Sequence, residues 1–243
     1  MSVSGNVVSV LPGAGGSFPV AGVRAKITRQ RIYRSSGVWI APVNCYYVQL
    51  AMCGGGGSGA AVSDDSSSPT GTVANGGAGA AVIVPNLIPV LPGISYTVTV
   101  GAGGASATAT LTTANGVSGG TSIFAGGLTY FATGGGTGGV ASGSAATGGT
   151  TTQVSSYGLF GVNGGAGGTS GAGGAVEHTI GGTGSALYRG GGGASLFAAG
   201  GNSADPTSTK PGFGAGSGGA FTFDVAATSG AGGDGVVIVT WEE

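Results

Sequence analysis

Short segments of alternating apolar and polar residues run through most of the chain, and glycine runs separate them. In the segment CYYVQLAMC, Tyr46, Val48, Leu50 and Met52 fall on one face of an extended strand. We expect both faces of this strand to be largely covered. Further strands are predicted at AAVIVP, YTVTV, TSIFA, LTYFA, FTFDV and the terminal VVIVTW. Apolar residues are nowhere sustained at helical spacing, so the pattern predicts an all-β fold with almost no α-helix.

The glycine runs themselves show a period. Glycine accounts for 59 of the 243 residues, and the run from Gly164 to Ala175, GGAGGTSGAGGA, divides into triplets. A polyproline II helix has three residues per turn and no internal hydrogen bonds, so glycine-rich helices of this kind can pack closely and bond to one another. We therefore predict a β-sandwich with glycine-rich insertions that pack as polyglycine II helices. The alternative is that the runs are flexible linkers.

The few charges are unevenly distributed. The formal net charge is −1, and no Asp, Glu, Lys, Arg or His lies between Ser66 and Val176. Five of the seven cations lie within eleven residues, namely Arg24, Lys26, Arg29, Arg31 and Arg34. We interpret residues 1–32 as an extended N-terminal attachment segment that includes part of this basic neck, and residues 33–243 as a glycine-rich domain. The alternative for the neck is a solvated strand or linker. A nucleic-acid partner is disfavoured, because no helix, aromatic platform or binding motif accompanies the cations.

Reactive chemistry is sparse. Cys45 and Cys53 would lie about 26 Å apart in a straight strand, which is too far for a disulfide, so we expect buried free thiols. The segment VGAGGAS lacks the helix and the acidic residue that a dinucleotide site needs. A catalytic dyad of His178 and Glu177 would still require a third group. We predict no cofactor, no metal and no enzymatic activity.

The sequence also argues against membrane insertion. The longest weakly polar stretch, AAVIVPNLIPVLPGI, contains three prolines, and the N-terminus does not look like a secretory signal. We expect neither a membrane span nor export through a signal peptide.

Four sequence blocks between Ser36 and Trp241 carry a family resemblance. They are SGVWIAP at Ser36–Pro42, the PG…YTVTVGAGG block at Pro92–Gly104, GGTSIF at Gly119–Phe124, and GGDGVVIVTW at Gly232–Trp241. In this order they resemble the glycine-rich C-terminal domain of bacteriophage tail-fibre and receptor-binding proteins. The architecture is similar to that of the tip adhesins of T-even-type tail fibres, in which polyglycine II helices carry receptor-binding loops.

The resemblance implies a tail-fibre or tail-tip protein that attaches the virion to the host cell. It implies synthesis in the host cytoplasm, incorporation into the virion and a homotrimeric state. The N-terminal segment, with Arg24, Lys26, Arg29, Arg31 and Arg34, would attach to other virion tail or fibre proteins. Two alternatives are a passive virion decoration or collar fibre, and an ice-binding or matrix protein.

Loops between the glycine runs would form the receptor-binding surface, because variable loops on a rigid scaffold commonly carry recognition. These loops are 62–75, 105–118, 140–160, 175–189 and 202–212. The partner would be a host surface protein or glycan. The candidate contact residues are Asp64, Asp65, Tyr157, Glu177, His178, Tyr188, Arg189, Asp205 and Lys210.

Overall fold

The computed structural model describes residues 26–65, 72–127, 129–132, 140–142, 161–162, 164, 178–179, 186–187, 190–202 and 210–243. Within these residues the regular structure consists of strands, with no helix, which confirms the all-β prediction. The same residues accordingly contain no helix that is long and apolar enough to cross a membrane. Three layers follow one another along the molecule: a β-sandwich, a slab of glycine-rich segments and a group of short strands at the far end.

The β-sandwich has two sheets. The first is antiparallel, in the order β1 (Thr28–Tyr33), β18 (Val236–Glu242), β3 (Tyr47–Cys53), β6 (Val82–Pro89) and β13 (Gly161–Val162). The second is antiparallel, in the order β11 (Thr129–Ala132), β10 (Ser122–Ala125), β7 (Ser95–Thr99) and β2 (Gly37–Ile40). The predicted strands TSIFA, LTYFA, YTVTV and VVIVTW are therefore present.

An aromatic cluster fills the space between the two sheets. Trp39 is 1% exposed, and its ring centroid lies 5.6 Å from Tyr96, 6.0 Å from Phe124 and 5.6 Å from Trp241. The rings of Tyr96 and Phe124 stack at 5.0 Å. Inward-facing Val48, Leu50 and Met52 of β3 belong to the same core and are fully buried. Alternation along β3 thus directs these side chains into the core, as the sequence predicts.

The opposite face of β3 is covered only in part. Ala51 and Cys53 are buried near the glycine slab, whereas Tyr47 is 58% exposed at the other end of the strand. Tyr46, which the alternation placed on the same face as Val48, precedes the strand and is 61% exposed. The prediction of two largely covered faces was therefore wrong for the end of β3 that lies away from the slab, because no further layer packs on that part of the sheet among the described residues.

Among the described residues, seven extended segments, here called rods, form most of the slab. Rod 1 comprises residues 54–60 and continues directly from β3. The other six are listed here: rod 2 (75–81), rod 3 (101–107), rod 4 (115–121), rod 5 (190–194), rod 6 (214–219) and rod 7 (229–235). At about 3.1 Å of rise per residue a seven-residue rod spans about 20 Å. The slab therefore separates the sandwich from the far end of the molecule.

Backbone hydrogen bonds join the rods with a period of three. In rod 1 the N–H groups of Gly54, Gly57 and Ala60 donate to the carbonyls of rod 2 at residues 81, 78 and 75. The intervening N–H groups turn to other neighbours: Gly55 donates to Gly120 of rod 4, and Gly56 to Gly233 of rod 7. Rod 7 repeats the pattern, since residues 229, 232 and 235 donate to 107, 104 and 101 of rod 3. A threefold period of donors in the described rods agrees with the predicted polyglycine II packing. The run at Gly164–Ala175, on which the prediction was based, lies outside the described residues apart from Gly164.

Rod 1 lies at the centre of this arrangement and explains the need for glycine. A Cβ atom on Gly56 would overlap the carbonyl oxygen of Ala215 in rod 6, and one on Gly55 would overlap that of Ala102 in rod 3. Buried serines are tolerated where their hydroxyls take part in the bonding. The Ser58 hydroxyl accepts the Val117 N–H at 2.7 Å, and the Ser217 hydroxyl accepts the Gly59 N–H at 2.9 Å.

The rods end in short strands that pair with one another at the far end. These strands, with their connecting turns, are here called the tip. The tip strands are β4 (Ala61–Asp64), β5 (Thr72–Ala74), β8 (Thr108–Ala109), β9 (Thr113–Ala114), β12 (Val140–Ser142), β16 (Ala220–Phe223) and β17 (Ala227–Thr228). β4 pairs with β16 in parallel and with β9 antiparallel. A separate two-stranded pair is formed by β14 (His178–Thr179) and β15 (Ala186–Leu187).

The basic neck contributes a strand to the sandwich. β1 spans the predicted domain boundary, which lies between residues 32 and 33. It pairs along its whole length with β18. Two exposed ion pairs tie it to the C-terminus: Lys26 Nζ to Glu242 Oε2 at 2.7 Å, and Arg29 Nε to Glu243 Oε2 at 3.0 Å. The described part of the neck is therefore an edge strand of the first sheet.

Candidate functional site

Two turns of the tip are held together through β4. The Ser63 hydroxyl donates to the Val225 carbonyl at 2.7 Å and accepts the Leu111 N–H at 2.9 Å. The Asp224 N–H donates to the Asp64 carbonyl at 2.9 Å. The turn after β8 and the turn after β16 are thus fixed relative to each other by neighbouring residues of one strand.

Both turns contain a residue in the left-handed backbone region. Leu111 has φ of 47° and Asp224 has φ of 56°, and they are the non-glycine residues with positive φ in the described part of the chain. A leucine in this conformation costs about 1 to 2 kcal/mol, since its Cβ crowds the following carbonyl. Strained residues of this kind tend to occur at functional sites, where the surrounding structure maintains them.

The same turns expose large apolar side chains next to aspartates. Leu111 is 60% exposed and Val225 is 56% exposed. Asp65 and Asp224 are exposed beside them. Among its described residues the tip carries acidic side chains and no Lys, Arg or His, whereas the described cations lie at the sandwich and at the adjoining end of the slab. We call Asp65, Leu111, Asp224 and Val225 the tip cluster.

The structure describes four of the contact residues predicted from sequence: Asp64, Asp65, His178 and Lys210. Asp64 and Asp65 both lie at the tip, but Asp64 is 7% exposed, and its carboxylate accepts the Asp65 N–H at 3.0 Å. The backbone of His178 lies in β14. Five of the predicted contacts lie outside the described residues: Tyr157, Glu177, Tyr188, Arg189 and Asp205.

Lys210 lies at the opposite end of the slab from the tip. Its ammonium group is 2.6 Å from Asp234 Oδ2, and Asp234 Oδ1 accepts the Gly103 N–H at 3.0 Å. The backbone carbonyl of Asp234 also accepts the Gly214 N–H. Gly214 has φ of 66°, which lets the chain turn into rod 6 beside Cys53. Asp234 thus joins three rods close to the sandwich, and Lys210 is part of that junction.

The junction predicts a specific response to acid. The Gly103 N–H, and after it Lys210, lower the pKa of Asp234 from 3.8. A group whose pKa is lower in the folded state contributes stability above its unfolded value, and this contribution is lost as pH falls through the folded value. We expect the free energy of unfolding of Asp234→Asn to fall less than that of the unmodified chain as pH drops below 3.8. Urea unfolding at neutral and acidic pH would measure the difference.

Lys210→Met is the matched control for this prediction. It removes an ion pair whose two side chains are each about half exposed, so we expect a change of under about 1 kcal/mol at neutral pH. Because the Gly103 bond remains, Lys210→Met should retain much of the acid dependence. Equal acid sensitivity of Asp234→Asn and the unmodified chain would contradict the assignment.

The described neck cations are engaged within the molecule. Besides the ion pairs of Lys26 and Arg29, the Arg31 guanidinium lies 4.9 Å from the Tyr33 ring centroid, and that of Arg34 lies 5.4 Å from the Phe213 ring centroid. Arg24 lies outside the described residues. Lys26, Arg29, Arg31 and Arg34 therefore stabilise the edge of the sandwich, and they stay exposed enough to meet a partner.

The two cysteines are free and buried, as predicted. Burial raises the pKa of the Cys45 thiol and raises that of Cys53 to about 11. A thiol must ionise to react. We therefore expect no rapid reaction with a disulfide reagent at pH about 8 in the folded chain, and two reactive thiols after denaturation. Rapid labelling of the folded chain would contradict the expected protection of the thiols. The variant Cys45→Ser would then show which of the two thiols reacts.

Two features bear on chemistry at the tip. In the part of the chain that the structure describes, no three His, Cys, Asp or Glu side chains are close enough together to hold a metal ion. The tip cluster instead combines exposed apolar side chains, carboxylates and a fixed backbone. This combination suits contact with another surface, since large apolar side chains can anchor an interface and charges orient the partner.

The fold places the chain among all-β proteins in which a sandwich supports a hydrogen-bonded glycine slab. The family comparison agrees with that class, because a model described as a glycine-rich domain matches residues 33–242. The chain belongs to this glycine-rich domain family. No curated protein matches it. Sequence reasoning missed Leu111, Asp224 and Val225 as site residues, because a leucine gives no local signal of a left-handed backbone, and Asp224 and Val225 fall within a predicted strand.

Proposed function

We propose that the chain is the attachment module of a bacteriophage tail fibre or tail tip, which binds the host surface through its tip. The observation that carries the proposal is the position of the tip cluster. It lies about 20 Å from the sandwich, at the end of a slab whose rods are bonded to one another throughout. A fixed scaffold with variable ends is a common design for recognition, because binding does not have to order the loops.

The order of the sequence blocks supports the same proposal. The SGVWIAP block forms β2 and its exit, and GGDGVVIVTW forms the end of rod 7 and β18. Both belong to the sandwich and the adjoining slab, where they maintain the scaffold. The tip turns lie in the segments between these blocks. The partner on the host would be a surface protein or a glycan, and the N-terminal segment with its basic neck would join the chain to other virion proteins.

Binding to cells tests the proposal. Fluorescently labelled full-length chain would be incubated with a panel of bacterial strains, and bound protein measured by flow cytometry. We expect saturable binding to some strains. The double variant Leu111→Gly, Val225→Thr removes the apolar anchors without straining the backbone, and we expect at least a tenfold loss of affinity, about 1.4 kcal/mol.

Ile32→Thr is the matched control, because Ile32 is 50% exposed on the sandwich and lies far from the tip. It should bind as the unmodified chain does. The proposal fails if the chain binds none of the bacterial strains, which is the result expected for a passive virion decoration. It also fails if the tip variant binds as strongly as the control.

A further inference from the structure

The end of the sandwich opposite the tip carries an unusual amount of exposed apolar surface. The side chains concerned are between 43% and 76% exposed, and we call them the base face: Ile40, Val43, Tyr46, Tyr47, Leu87, Leu91 and Ile94. Soluble monomers rarely leave contiguous apolar patches larger than a few hundred Å² exposed. At about 100 to 150 Å² for each side chain, the seven offer on the order of 900 Å².

Backbone hydrogen bonds connect the turns that carry the base face. The Ala41 N–H donates to the Ile94 carbonyl at 3.0 Å, and the Gly93 N–H donates to the Ala41 carbonyl at 2.9 Å. The Val90 N–H donates to the Tyr46 carbonyl at 2.9 Å. These bonds hold the turn after β2 against the turn after β6. The base face wraps around the end of the sandwich: Ile40 points outward from the second sheet, as Val38 does, and Tyr47 and Leu87 point outward from the first.

A groove of about 680 Å³ adjoins this surface on the outer face of the first sheet. Tyr47 and Leu87 line it, together with Gln49, which pairs with Leu87 across the two strands. Its rim carries the ion pair of Lys26 and Glu242, whose side chains are 77% and 56% exposed. The groove is lined by polar side chains, among them Asn44, Gln49 and Thr240, as well as by apolar ones, and its rim presents both signs of charge.

We propose that the base face is the surface through which the chain binds further copies of itself. Residues 35–63 and 66–176 contain no charged side chain, so the face is neutral and meets its own copy without repulsion between like charges. The Lys26–Glu242 rim is complementary to an identical rim. One copy can bury the part of the base-face area on the groove side, and a stable complex buries about 800 Å² on each partner. Self-association at this end also leaves the tips free.

The inference does not depend on the proposed attachment function. Sedimentation velocity and light scattering of the full chain, from about 1 to about 100 µM, would measure its mass in the range where moderate complexes dissociate. We expect a dimer or trimer. Tyr47→Asp and Leu87→Asp each place a negative charge in the contact, where it meets the same charge on the other copy. We expect each variant to weaken association at least tenfold.

Val225→Asp is the control, because Val225 at the tip is 56% exposed and thus comparable to Tyr47. It should leave the mass unchanged. Circular dichroism verifies that each variant is folded. A second test avoids charge altogether: Leu87→Cys adds an exposed thiol beside two buried ones, and a short bis-maleimide should then link copies to each other.

Three outcomes would overturn the inference. The first is a chain that remains monomeric over the whole concentration range. The second is an oligomer that persists in both aspartate variants and gives no cross-link at position 87. The third is dissociation caused by Val225→Asp. Cell binding is measured separately through Leu111 and Val225, so failure of attachment and failure of self-association can be told apart.

Discussion

Alanine in place of Gly56 is expected to destabilise the chain by about 3 kcal/mol or more, at the upper end of the cost of inserting atoms into a packed interior. The added Cβ would overlap the Ala215 carbonyl and would lie 2.9 Å from the Gly214 oxygen. Rod 1 cannot move away easily, because the Gly56 N–H donates to the Gly233 carbonyl of rod 7 and the Gly56 carbonyl accepts the Gly104 N–H of rod 3. Thermal and urea unfolding followed by circular dichroism would measure the loss.

Gly127→Ala is the control for this experiment. A Cβ at Gly127 would meet only Leu91 Cδ1, at 3.9 Å, which is ordinary van der Waals contact. We expect a change within about 0.5 kcal/mol, as for most surface substitutions. If both variants were equally stable, the close packing of the rods would be refuted, and the flexible-linker interpretation of the glycine runs would be restored.

Trp39→Ala is expected to cost about 3 to 5 kcal/mol, because it removes the largest buried side chain from between the two sheets. Tyr96, Phe124 and Trp241 would each lose a ring contact. The near-ultraviolet circular dichroism of the aromatic cluster should weaken in parallel with the free energy of unfolding, which urea titration measures.

Val38→Ala tests whether this loss is specific to the core. Val38 precedes Trp39 in β2, but its side chain points outward and is 51% exposed. We expect its substitution to cost under about 1 kcal/mol. A similar loss for both variants would mean that β2 matters as a strand, whatever its side chains contact.

The scaffold could be predicted from local patterns. Alternation in YTVTV identifies β7, and the short apolar run VVIVTW after a glycine run identifies β18. The triplet phase of the glycine run at Gly164–Ala175 indicates a threefold helix. Which rods are neighbours could not be predicted. Glycine has no side chain with which to specify a partner, so the order of rods around rod 1 follows from the strands at their ends.

The tip was only partly predictable. Loop 105–118 contains Leu111, but the left-handed conformation depends on the Ser63 hydroxyl, 48 residues away in sequence. Asp224 and Val225 are the last two residues of the predicted strand FTFDV, but in the structure this strand, β16, ends two residues earlier, at Phe223. Asp64 looks like a solvated acid in the sequence, yet the Asp224 turn helps to cover it. Long-range contacts of this kind leave no local signal.

The base face was hidden from sequence reasoning for a different reason. Tyr46, Tyr47 and Leu87 are residues that a sheet normally buries, so their pattern predicts a covered strand. Only the course of the chain shows that no described segment covers them. Exposed fractions of 61%, 58% and 70% then become the observation that needs an explanation.

The N–H groups that bond one rod to a given neighbour recur every three residues, and this period restricts how the rods can change in length. Deleting one residue inside rod 1 would rotate every later N–H by a third of a turn and direct it toward the wrong neighbour. Removal of a full triplet would preserve the phase and only shorten the slab. Insertions within the tip turns leave that phase untouched. Evolution of this domain is therefore free to alter the tips residue by residue, whereas the rods between them can lengthen or shorten only in whole helical turns.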